Sequence, residues 1–380
     1  MTVSTQIYLD FNASTPVAPE VADAMRPFLD AYYGNPSSVH WAGHSAHAAL
    51  NAARRQVAAL LGCAPDEIVF TSGGSEANNL AIKGAFFAAR DGANHIVTTQ
   101  IEHPATVQTC RFLERLGAEV TYLGVDRTGR VDPDDVRQAI TPRTVLVSIM
   151  HANNEVGTIQ PIEEIARIAR ERGVLVHTDG AQTVGKIPIA VDDLGVDLLS
   201  VVGHKLYAPK GVGALYVRRG VVLEPLIHGA QHERGRRAGT ESVLLATGLG
   251  AACALAASDD HSQQARRLRD RLWTQLREAF GDAVVLNGHP SLRLPTTLNV
   301  SFVGRIGADI LASLDGVAAS TGAACHSGSV ELSPVLEAMG VPLEVGMGAI
   351  RFSVGRSTTE AEIDDVVESL RGVLRGGPTA

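Results

Sequence analysis

Small residues that could hold a phosphate follow one of the predicted strands. Residues 72–76 (SGGSE) come directly after a β-rich run, residues 67–71. Two glycines let the backbone approach an anion, and a following helix would offer free N–H groups at the positive end of its dipole. The pattern predicts a phosphate-binding turn at Gly74 and Ser75, although the same residues would also suit a plain turn and helix cap.

Groups suited to acid–base and carbonyl chemistry follow two other predicted strands. Asp179 comes after residues 174–178, and His204 and Lys205 come after residues 197–202. A buried carboxylate requires a cation or several hydrogen-bond donors. Asp179 and Lys205 could therefore form a structural ion pair with each other, or both could face a bound cofactor.

Polar residues also follow the predicted strands 95–99 and 144–150. The first strand is followed by His103, just before a proline that would begin a helix, and the second by residues 151–157, which include Asn154. His103 could be an ordinary loop histidine, and the polar run could satisfy its own hydrogen bonds. At the end of a buried strand, both could instead reach a cleft.

The places of these groups along the chain point to one cofactor. In open α/β sheets, ligands bind beyond the carboxyl ends of the strands. Pyridoxal phosphate needs a phosphate site, a carboxylate for its ring nitrogen, a ring to stack on and a lysine for a Schiff base. Because each of these groups is predicted at a strand end, we expect them to line one pyridoxal phosphate site.

A candidate nucleophile lies near the carboxyl end of the chain. Cys325 stands beside His326 in a run of small residues, 321–329 (TGAACHSGS). Small neighbours would leave the thiol accessible, and a nearby imidazolium would raise its thiolate fraction. A buried cysteine in a tight turn is the alternative. That structural interpretation is favoured for the other three cysteines, which lie in apolar or helical runs: Cys63, Cys110 and Cys253.

Other ligand classes are disfavoured. Residues 180–187 (GAQTVGKI) match the P-loop pattern G-x-x-x-x-G-K, but Ile187 stands where a serine or threonine should bind Mg²⁺. No G-x-G-x-x-G follows the first strand, so a dinucleotide fingerprint is missing. The thirteen histidines form no close cluster with metal-ligand spacing, and we expect no metal site.

The elements that must position these groups alternate between strand and helix. Strands are predicted at residues 67–71, 95–99, 119–123, 144–150, 174–178 and 197–202. This alternation predicts an α/β fold with a mostly parallel central sheet and helices on both faces. After about residue 235 the pattern changes to a smaller α+β domain. We predict a large domain over residues 15–257 and a small one over residues 258–380, which also includes the amino-terminal segment 1–14.

The composition is that of a globular protein with an ordinary core. The chain has 380 residues, 45% of them hydrophobic, and a formal charge of −8, so disorder is excluded and direct nucleic-acid or anionic-membrane binding is not expected. With four cysteines, no C-x-x-C pair, no leader-like start and no apolar run of about 18 residues, we expect a reduced, cytoplasmic protein without a membrane segment.

Taken together, eight motifs in order make the chain similar to a known family. It resembles the cysteine desulfurases, pyridoxal-phosphate enzymes of the class V aminotransferase group, from about residue 7 to residue 370. The motifs are residues 8–13 (YLDFNA), 34–38 (GNPSS), 70–73 (FTSG), 147–157 (VSIMHANNEVG), 203–205 (GHK), 209–218 (PKGVGALYVR), 232–240 (HERGRRAGT) and 350–356 (IRFSVGR).

The resemblance implies the type I fold of pyridoxal-phosphate transferases and a set of cofactor contacts. Lys205 would bind the cofactor covalently, Asp179 would pair with the ring nitrogen, and His103 would stack on the ring. The remaining contacts would be Gln182 and Asn154 at the ring hydroxyl, and Gly74, Ser75 and His204 at the phosphate. Thr240 would reach the phosphate from a second subunit, which implies a homodimer.

The resemblance also implies a reaction. Arg351 would bind the carboxylate of L-cysteine, with Asn35 nearby, and the Cys325 thiolate would take the sulfur as a persulfide while alanine leaves. A sulfur-acceptor protein would then receive it, for iron–sulfur clusters or another thio-modification.

Two departures leave alternatives open. Val202 stands where many relatives have a serine, which removes one hydroxyl contact to the phosphate. Residues 323–327 (AACHS) and 236–241 (RRAGTE) also resemble selenocysteine lyases of the same group. A non-catalytic partner of a sulfur-transfer protein is a third alternative, which the intact set of Lys205, Asp179, His103 and Cys325 disfavours.

Overall fold

The computed structural model describes residues 6–90, 92–258, 261–321, 325–326 and 329–376. For residues 325–326, 329–330 and 375–376 it describes the backbone alone. The strands are β1 (Ile7–Tyr8), β2 (Ile68–Thr71), β3 (His95–Thr99), β4 (Glu119–Leu123), β5 (Thr144–Ser148), β6 (Leu175–Asp179), β7 (Leu198–Val202), β8 (Gly213–Val217), β9 (Val284–Asn287), β10 (Thr297–Phe302), β11 (Val317–Ala318), β12 (Cys325–His326), β13 (Ser329–Val330) and β14 (Ala349–Ser353).

The helices surround these strands and connect most of them. They are α1 (Pro19–Met25), α2 (Pro27–Asp30), α3 (Trp41–Leu61), α4 (Gly74–Phe87), α5 (Pro104–Glu114), α6 (Pro133–Ala139), α7 (Ile162–Glu171), α8 (Val191–Leu194), α9 (Val243–Ser258), α10 (Ser262–Phe280), α11 (Gly307–Ala312), α12 (Pro334–Ala338), α13 (Leu343–Gly346) and α14 (Glu360–Gly376).

The central feature is a seven-stranded sheet with the order β2-β8-β7-β6-β5-β3-β4. The strands from β7 to β4 are parallel, whereas β8 runs antiparallel to both of its neighbours. The prediction of a mostly parallel sheet is confirmed, but β8 was not predicted as a strand. Residues 203–212 contain no crossover helix, and a parallel connection needs about a dozen residues or more, so β8 must return antiparallel.

Helices cover both faces of this sheet. Adjacent residues of β7, Leu198 and Leu199, belong to separate apolar clusters on opposite faces, and every residue of β7 is buried. Such near-continuous apolar strands are typical of parallel sheets covered on both sides. The helix α7 shows the matching pattern, because Ile165, Ala166 and Ala169 are buried on one stripe.

A second apolar cluster lies around the antiparallel sheet β14-β10-β9. It includes Ile7 and Leu9 together with residues of α10 and α14. The amino-terminal segment also pairs with this part of the chain, since β1 runs parallel to β11. The division into residues 15–257 and residues 258–380 with residues 1–14 stays a prediction.

No single helix within the described ranges has both the length and the apolar character needed to span a membrane. Among the helices of the described ranges, only α9 and α10 taken together as a bent pair reach the required length and composition. Much of α9 is buried in the core: Val243, Ala246, Leu249 and Cys253 belong to its buried residues.

Candidate active site

A cavity of about 220 Å³ lies at the carboxyl ends of the central strands. Nine of the predicted site residues line it: Gly74, Ser75, His103, Asn154, Asp179, Gln182, His204, Lys205 and Arg351. They come from turns after β2, β3, β5, β6 and β7, with Arg351 added from β14. The structure thus brings together groups that are up to 277 residues apart in the chain.

Lys205 lies in a short 3₁₀ turn that directly follows β7. The turn packs closely against the following segment and requires glycine at position 203, since a Cβ there would lie 2.8 Å from the backbone oxygen of Val212. The Lys205 Nζ atom donates to the backbone oxygens of Asn12 and Ala13, each at 2.7 Å. Burial, with a further contribution from the Arg351 charge, lowers the pKa of Lys205 to about 8. The fraction of neutral, nucleophilic amine near neutral pH is therefore much larger than for an ordinary lysine.

Asp179 is buried at the last position of β6. Its Oδ2 atom accepts from Asn78 Nδ2 at 2.7 Å, and its Oδ1 atom accepts from the Ala181 backbone N–H at 2.9 Å. The carboxylate is therefore held by neutral donors, while Lys205 bonds to backbone carbonyls. This geometry favours the interpretation that both face a ligand rather than each other. The sequence missed Asn78, which lies on α4 and carries no motif signal.

His103 caps the amino terminus of α5, with Pro104 at its first position. Its Nδ1 atom accepts from the Ala105 backbone N–H at 3.1 Å, so in the neutral ring the proton is on Nε2. Burial lowers the pKa of His103, and the nearby Lys205 charge lowers it further against the opposing effect of Asp179. The structure therefore presents a neutral imidazole at the cavity with a fixed tautomer.

The first turn of α4 and His204 form the polar end of the cavity. Gly74 and Ser75 begin this 14-residue helix, and both line the cavity. The Nδ1 atom of His204 is buried without a hydrogen-bond partner. Burial and the nearby charge of Lys205 lower the pKa of His204 to about 4, so the ring is neutral. Helix N–H groups together with an unpartnered buried imidazole nitrogen fit a phosphate oxygen.

Val202 closes one side of this polar end. A Cβ on Gly74 would lie 2.5 Å from Val202 Cγ2, so the two residues are already in close contact. The residue at this position supplies a methyl group and no hydroxyl, as the sequence indicated. Gly74 has no substitute here because any side chain would overlap Val202.

Arg351 is held in place by partners that the sequence did not predict. Its Nη2 atom lies 2.7 Å from Asp10 Oδ1, and its Nη1 atom donates to the Asn154 backbone oxygen at 3.1 Å. The Nε atom is buried without a partner. A carboxylate entering the cavity would therefore meet a guanidinium that is oriented in advance, and Asp10 would have to share it.

Two predicted residues do not line this cavity. Asn35 is exposed, and its Oδ1 atom accepts from the Ser37 backbone N–H of its own loop at 2.8 Å. Thr240 is also exposed and lines a separate hollow beside Ser72. The side chain of Cys325 lies outside the described residues, as do residues 322–324 and 327–328; the backbone of Cys325 pairs with Val330 in the short ladder β12–β13.

Other ligand classes find no support in the described part of the chain. No group of three or more His, Cys, Asp or Glu residues there could hold a metal ion. The P-loop-like segment is not followed by a helix at its lysine, because α8 begins only at Val191. Lys186 is instead buried and bonded to Gln182 and Asn12.

The chain is similar to known proteins over nearly its whole length. Residues 7–366 match the model of the family described as aminotransferase class V. A cysteine desulfurase IscS from Dictyoglomus turgidum is 48% identical over 373 residues, which cover 97% of this chain and 94% of the relative. A solved NifS-like protein superimposes with a TM-score of 0.92 at 37% identity, covering 98% of this chain and all of that one. A solved structure of SspA in complex with cysteine gives a TM-score of 0.82 at 39% identity, over 92% and 99% of the two chains.

The chain therefore belongs to the class V aminotransferase family, which consists of pyridoxal-phosphate enzymes with the type I fold. The residues that line the cavity fit that cofactor, because they supply a phosphate end, a buried carboxylate and a lysine of lowered pKa. Within the family, the chain groups with the cysteine desulfurases.

Proposed function

We propose that this chain converts L-cysteine to L-alanine with pyridoxal phosphate in the 220 Å³ cavity and with Cys325 as the sulfur acceptor. The observation that carries the proposal is that Lys205, Asp179 and His204, whose ring has a buried nitrogen without a partner, all line this cavity. Gly74, Ser75 and His204 would hold the phosphate, Asp179 the ring nitrogen, and Gln182 and Asn154 the ring hydroxyl. When bound, the cofactor supplies an electron sink that stabilises negative charge at the substrate Cα.

Lys205 and His103 are the groups that would move protons. Lys205 would hold the cofactor covalently through its amine, and as a free amine it would accept the proton from the substrate Cα. Its lowered pKa, about 8, suits both tasks near neutral pH. His103 lines the cavity and holds a proton on Nε2, because its Nδ1 atom accepts from the Ala105 backbone N–H.

Arg351 would bind the substrate carboxylate. The guanidinium already bonds to Asp10 and Asn154, which fixes the direction of its planar fork. Its partnerless Nε atom is buried, and a carboxylate would satisfy it. Asn35, on the exposed loop before α3, was predicted to lie near the substrate carboxylate, and that role stays a prediction.

Cys325 would take the sulfur. Its thiolate attacks the substrate sulfur, a sulfur–sulfur bond forms as the substrate's carbon–sulfur bond breaks, and the carbon gains a proton to give alanine. The small residues of the 321–329 segment and the neighbouring His326 support this role. The persulfide would then pass to the thiol of an acceptor protein.

A homodimer would complete the site. Thr240 is exposed outside the cavity of its own chain, which is where a residue that serves a partner's phosphate would lie. A groove of about 950 Å³ nearby is lined by residues of α3 and by His232. Large exposed apolar side chains lie in α2, in the segment that follows it and at the first position of α3: Leu29, Tyr33, Val39 and Trp41. Such a concentration is typical of an interface.

The cytoplasm is the compartment we propose, because Cys63, Cys110 and Cys253 are free thiols, as a reducing compartment favours.

The function is tested by supplying the cofactor-loaded protein with L-cysteine or L-selenocysteine and measuring alanine. Alanine from cysteine supports a desulfurase, and alanine from selenocysteine alone would make the protein a selenocysteine lyase. Borohydride should trap the cofactor on wild-type protein and not on Lys205→Ala. Trapping on that variant would place the covalent attachment on another lysine.

A further inference from the structure

Lys186 is a buried lysine behind the wall of the cavity. The residue is 7% exposed, and it is the lysine of the P-loop-like segment to which the proposed reaction assigns no role. Its Nζ atom donates to Gln182 Oε1 at 2.6 Å and to Asn12 Oδ1 at 3.2 Å. Lys186 itself does not line the cavity, whereas Gln182 and Asn12 both do.

These contacts connect Lys186 to the catalytic lysine through the Gln182 side chain and the backbone oxygen of Asn12. The backbone oxygen of Asn12 accepts from Lys205 Nζ at 2.7 Å and from Gln182 Nε2 at 3.1 Å. Asn12 is 1% exposed, and its side chain also donates to Thr297 Oγ1 at 2.8 Å. The network therefore runs from Lys186 through Gln182 and Asn12 to Lys205 without a gap.

The chemistry of an ammonium decides how the Gln182 amide is oriented. The Gln182 oxygen is the atom that faces Lys186, and a charged lysine, which has three donors and no acceptor, favours that orientation. The amide nitrogen then has two N–H groups, and one of them bonds to Asn12. The second N–H is left for an acceptor inside the cavity, where the cofactor's ring oxygen would lie under the proposed function.

The backbone conformation at Gly185 places Lys186 behind the cavity wall. Gly185 adopts a positive φ of 73°, and a Cβ there would overlap Leu206 Cδ1. Leu206 is the neighbour of Lys205 in the chain. The turn that contains Gly185 and Lys186 thus packs against the neighbour of the catalytic lysine. This packing accounts for the Gly-Lys pair of the P-loop-like segment without a bound nucleotide.

Burying the Lys186 amine costs folding free energy, because its charged form loses hydration. Burial, together with the positive charges of Lys205 and Arg351, lowers the pKa of Lys186 to about 7. A methionine would fill a similar volume without that cost. An anionic cofactor in the adjoining cavity would offset the repulsion among the three cations.

We propose that Lys186 is a positioning residue for cofactor binding. Through Gln182 Oε1 it keeps an amide N–H directed into the cavity, and through Asn12 it fixes the carbonyl oxygen to which Lys205 bonds. The inference rests on the proposed function, because it takes the cavity to be the pyridoxal phosphate site.

The test compares Lys186→Met with the matched control Lys83→Met. Lys83 lies over the Phe112 ring at 4.3 Å and does not line the cavity. Pyridoxal phosphate would be titrated into each apoprotein by equilibrium dialysis, and the absorbance of the bound cofactor would be followed against pH. For Lys186→Met we expect binding weaker by about tenfold or more and a spectral midpoint raised by about one pH unit, because a held N–H donor is lost. Lys83→Met should match the wild type in both.

A double-mutant cycle separates positioning from a general structural effect. If Lys186 acts through Gln182, the losses of affinity in Lys186→Met and Gln182→Leu should not add in the double variant. If Lys186→Met does not fold, Lys186→Gln keeps an N–H donor and should fall between wild type and complete loss. Wild-type affinity and an unchanged midpoint in a folded Lys186 variant, or fully additive losses, would overturn the role of Lys186. Failure of the wild type itself to bind the cofactor would instead overturn the proposed function.

Discussion

The Lys205 amine lies 2.7 Å from the backbone oxygen of Asn12, a residue 193 positions earlier in the chain. The segment before α1 therefore forms one wall of the cavity beneath the catalytic lysine. The same segment supplies Asp10, which pairs with Arg351 at 2.7 Å. The two cations of the site are thus both oriented by residues from one short amino-terminal stretch.

The lowered pKa of Lys205 predicts how fast the apoprotein takes up its cofactor. The folded-state pKa of about 8 lies below the ordinary value of 10.5, so the reactive neutral amine increases as pH rises to about 8 and then levels off. The rate of covalent attachment, measured by stopped-flow absorbance, should rise about tenfold per pH unit below that midpoint. In Arg351→Ala the midpoint should move to higher pH, because a charge that lowers the pKa is removed. A midpoint near 10 in the wild type would contradict this account.

Val202 predicts a gain of cofactor affinity on substitution. Val202→Thr keeps the shape and adds a hydroxyl next to Gly74 at the phosphate end. One added hydrogen bond of about 1 kcal/mol would strengthen pyridoxal phosphate binding by about fivefold. Val202→Ala removes both Cγ methyl groups and adds no hydroxyl, and it serves as the control in the same dialysis titration. Equal affinities for the two variants would show that the phosphate does not reach this position.

Arg351 predicts a defect in substrate binding. Removing its charge-assisted hydrogen bonds in Arg351→Ala should cost about 1.5–3 kcal/mol, seen as a rise of KM for L-cysteine by about tenfold to a hundredfold. Asp10→Asn should leave the guanidinium in place with weaker competition, so its KM should change much less. Steady-state alanine production measures both. An unchanged KM in Arg351→Ala would place the carboxylate elsewhere.

The pair of Arg54 and Glu233 predicts a stability effect separate from catalysis. Arg54 Nη2 lies 2.6 Å from Glu233 Oε1, and both side chains are almost fully buried. Glu233 and Arg234 also adopt positive φ angles of 46° and 59°. Such strained backbone persists only where the surrounding contacts stabilise it, and the buried ion pair is one such contact. Glu233→Ala would leave Arg54 buried without its partner.

We expect Glu233→Ala to lower the free energy of unfolding by about 3–5 kcal/mol in urea titrations. The exposed pair of Arg219 and Asp66 is the control, and Arg219→Ala should cost less than about 1 kcal/mol. Similar losses of unfolding free energy in both variants would show that the buried pair contributes no more to stability than the exposed one.

Much of the fold followed from local pattern. The strands at residues 95–99 and 119–123 follow the β-rich runs, because alternation and apolar content are local properties. The antiparallel β8 could not be predicted in this way, since its direction depends on the short connection after Lys205. The groups at the strand ends were predictable as a set, because a parallel sheet places them at one edge.

The partners of those groups were not predictable from spacing. Asp10, Asn12 and Asn78 reach the site from distant segments, and nothing local to each residue indicates its contact. Lys186 carried a signal, but the motif suggested a different ligand. Thr240 and Asn35 remain predictions, since each lies outside the cavity of its own chain.

The most direct test of the central claim is to locate the sulfur after a single turnover. Cofactor-loaded protein would be mixed with one equivalent of L-cysteine, alkylated, digested and analysed by mass spectrometry alongside Cys325→Ser and the buried-thiol control Cys253→Ser. We predict one extra sulfur on Cys325 together with one equivalent of alanine in the wild type and in Cys253→Ser. The variant Cys325→Ser should keep the cofactor's colour and carry no extra sulfur. Alanine formed at the wild-type rate by Cys325→Ser, or extra sulfur on another cysteine, would contradict the mechanism.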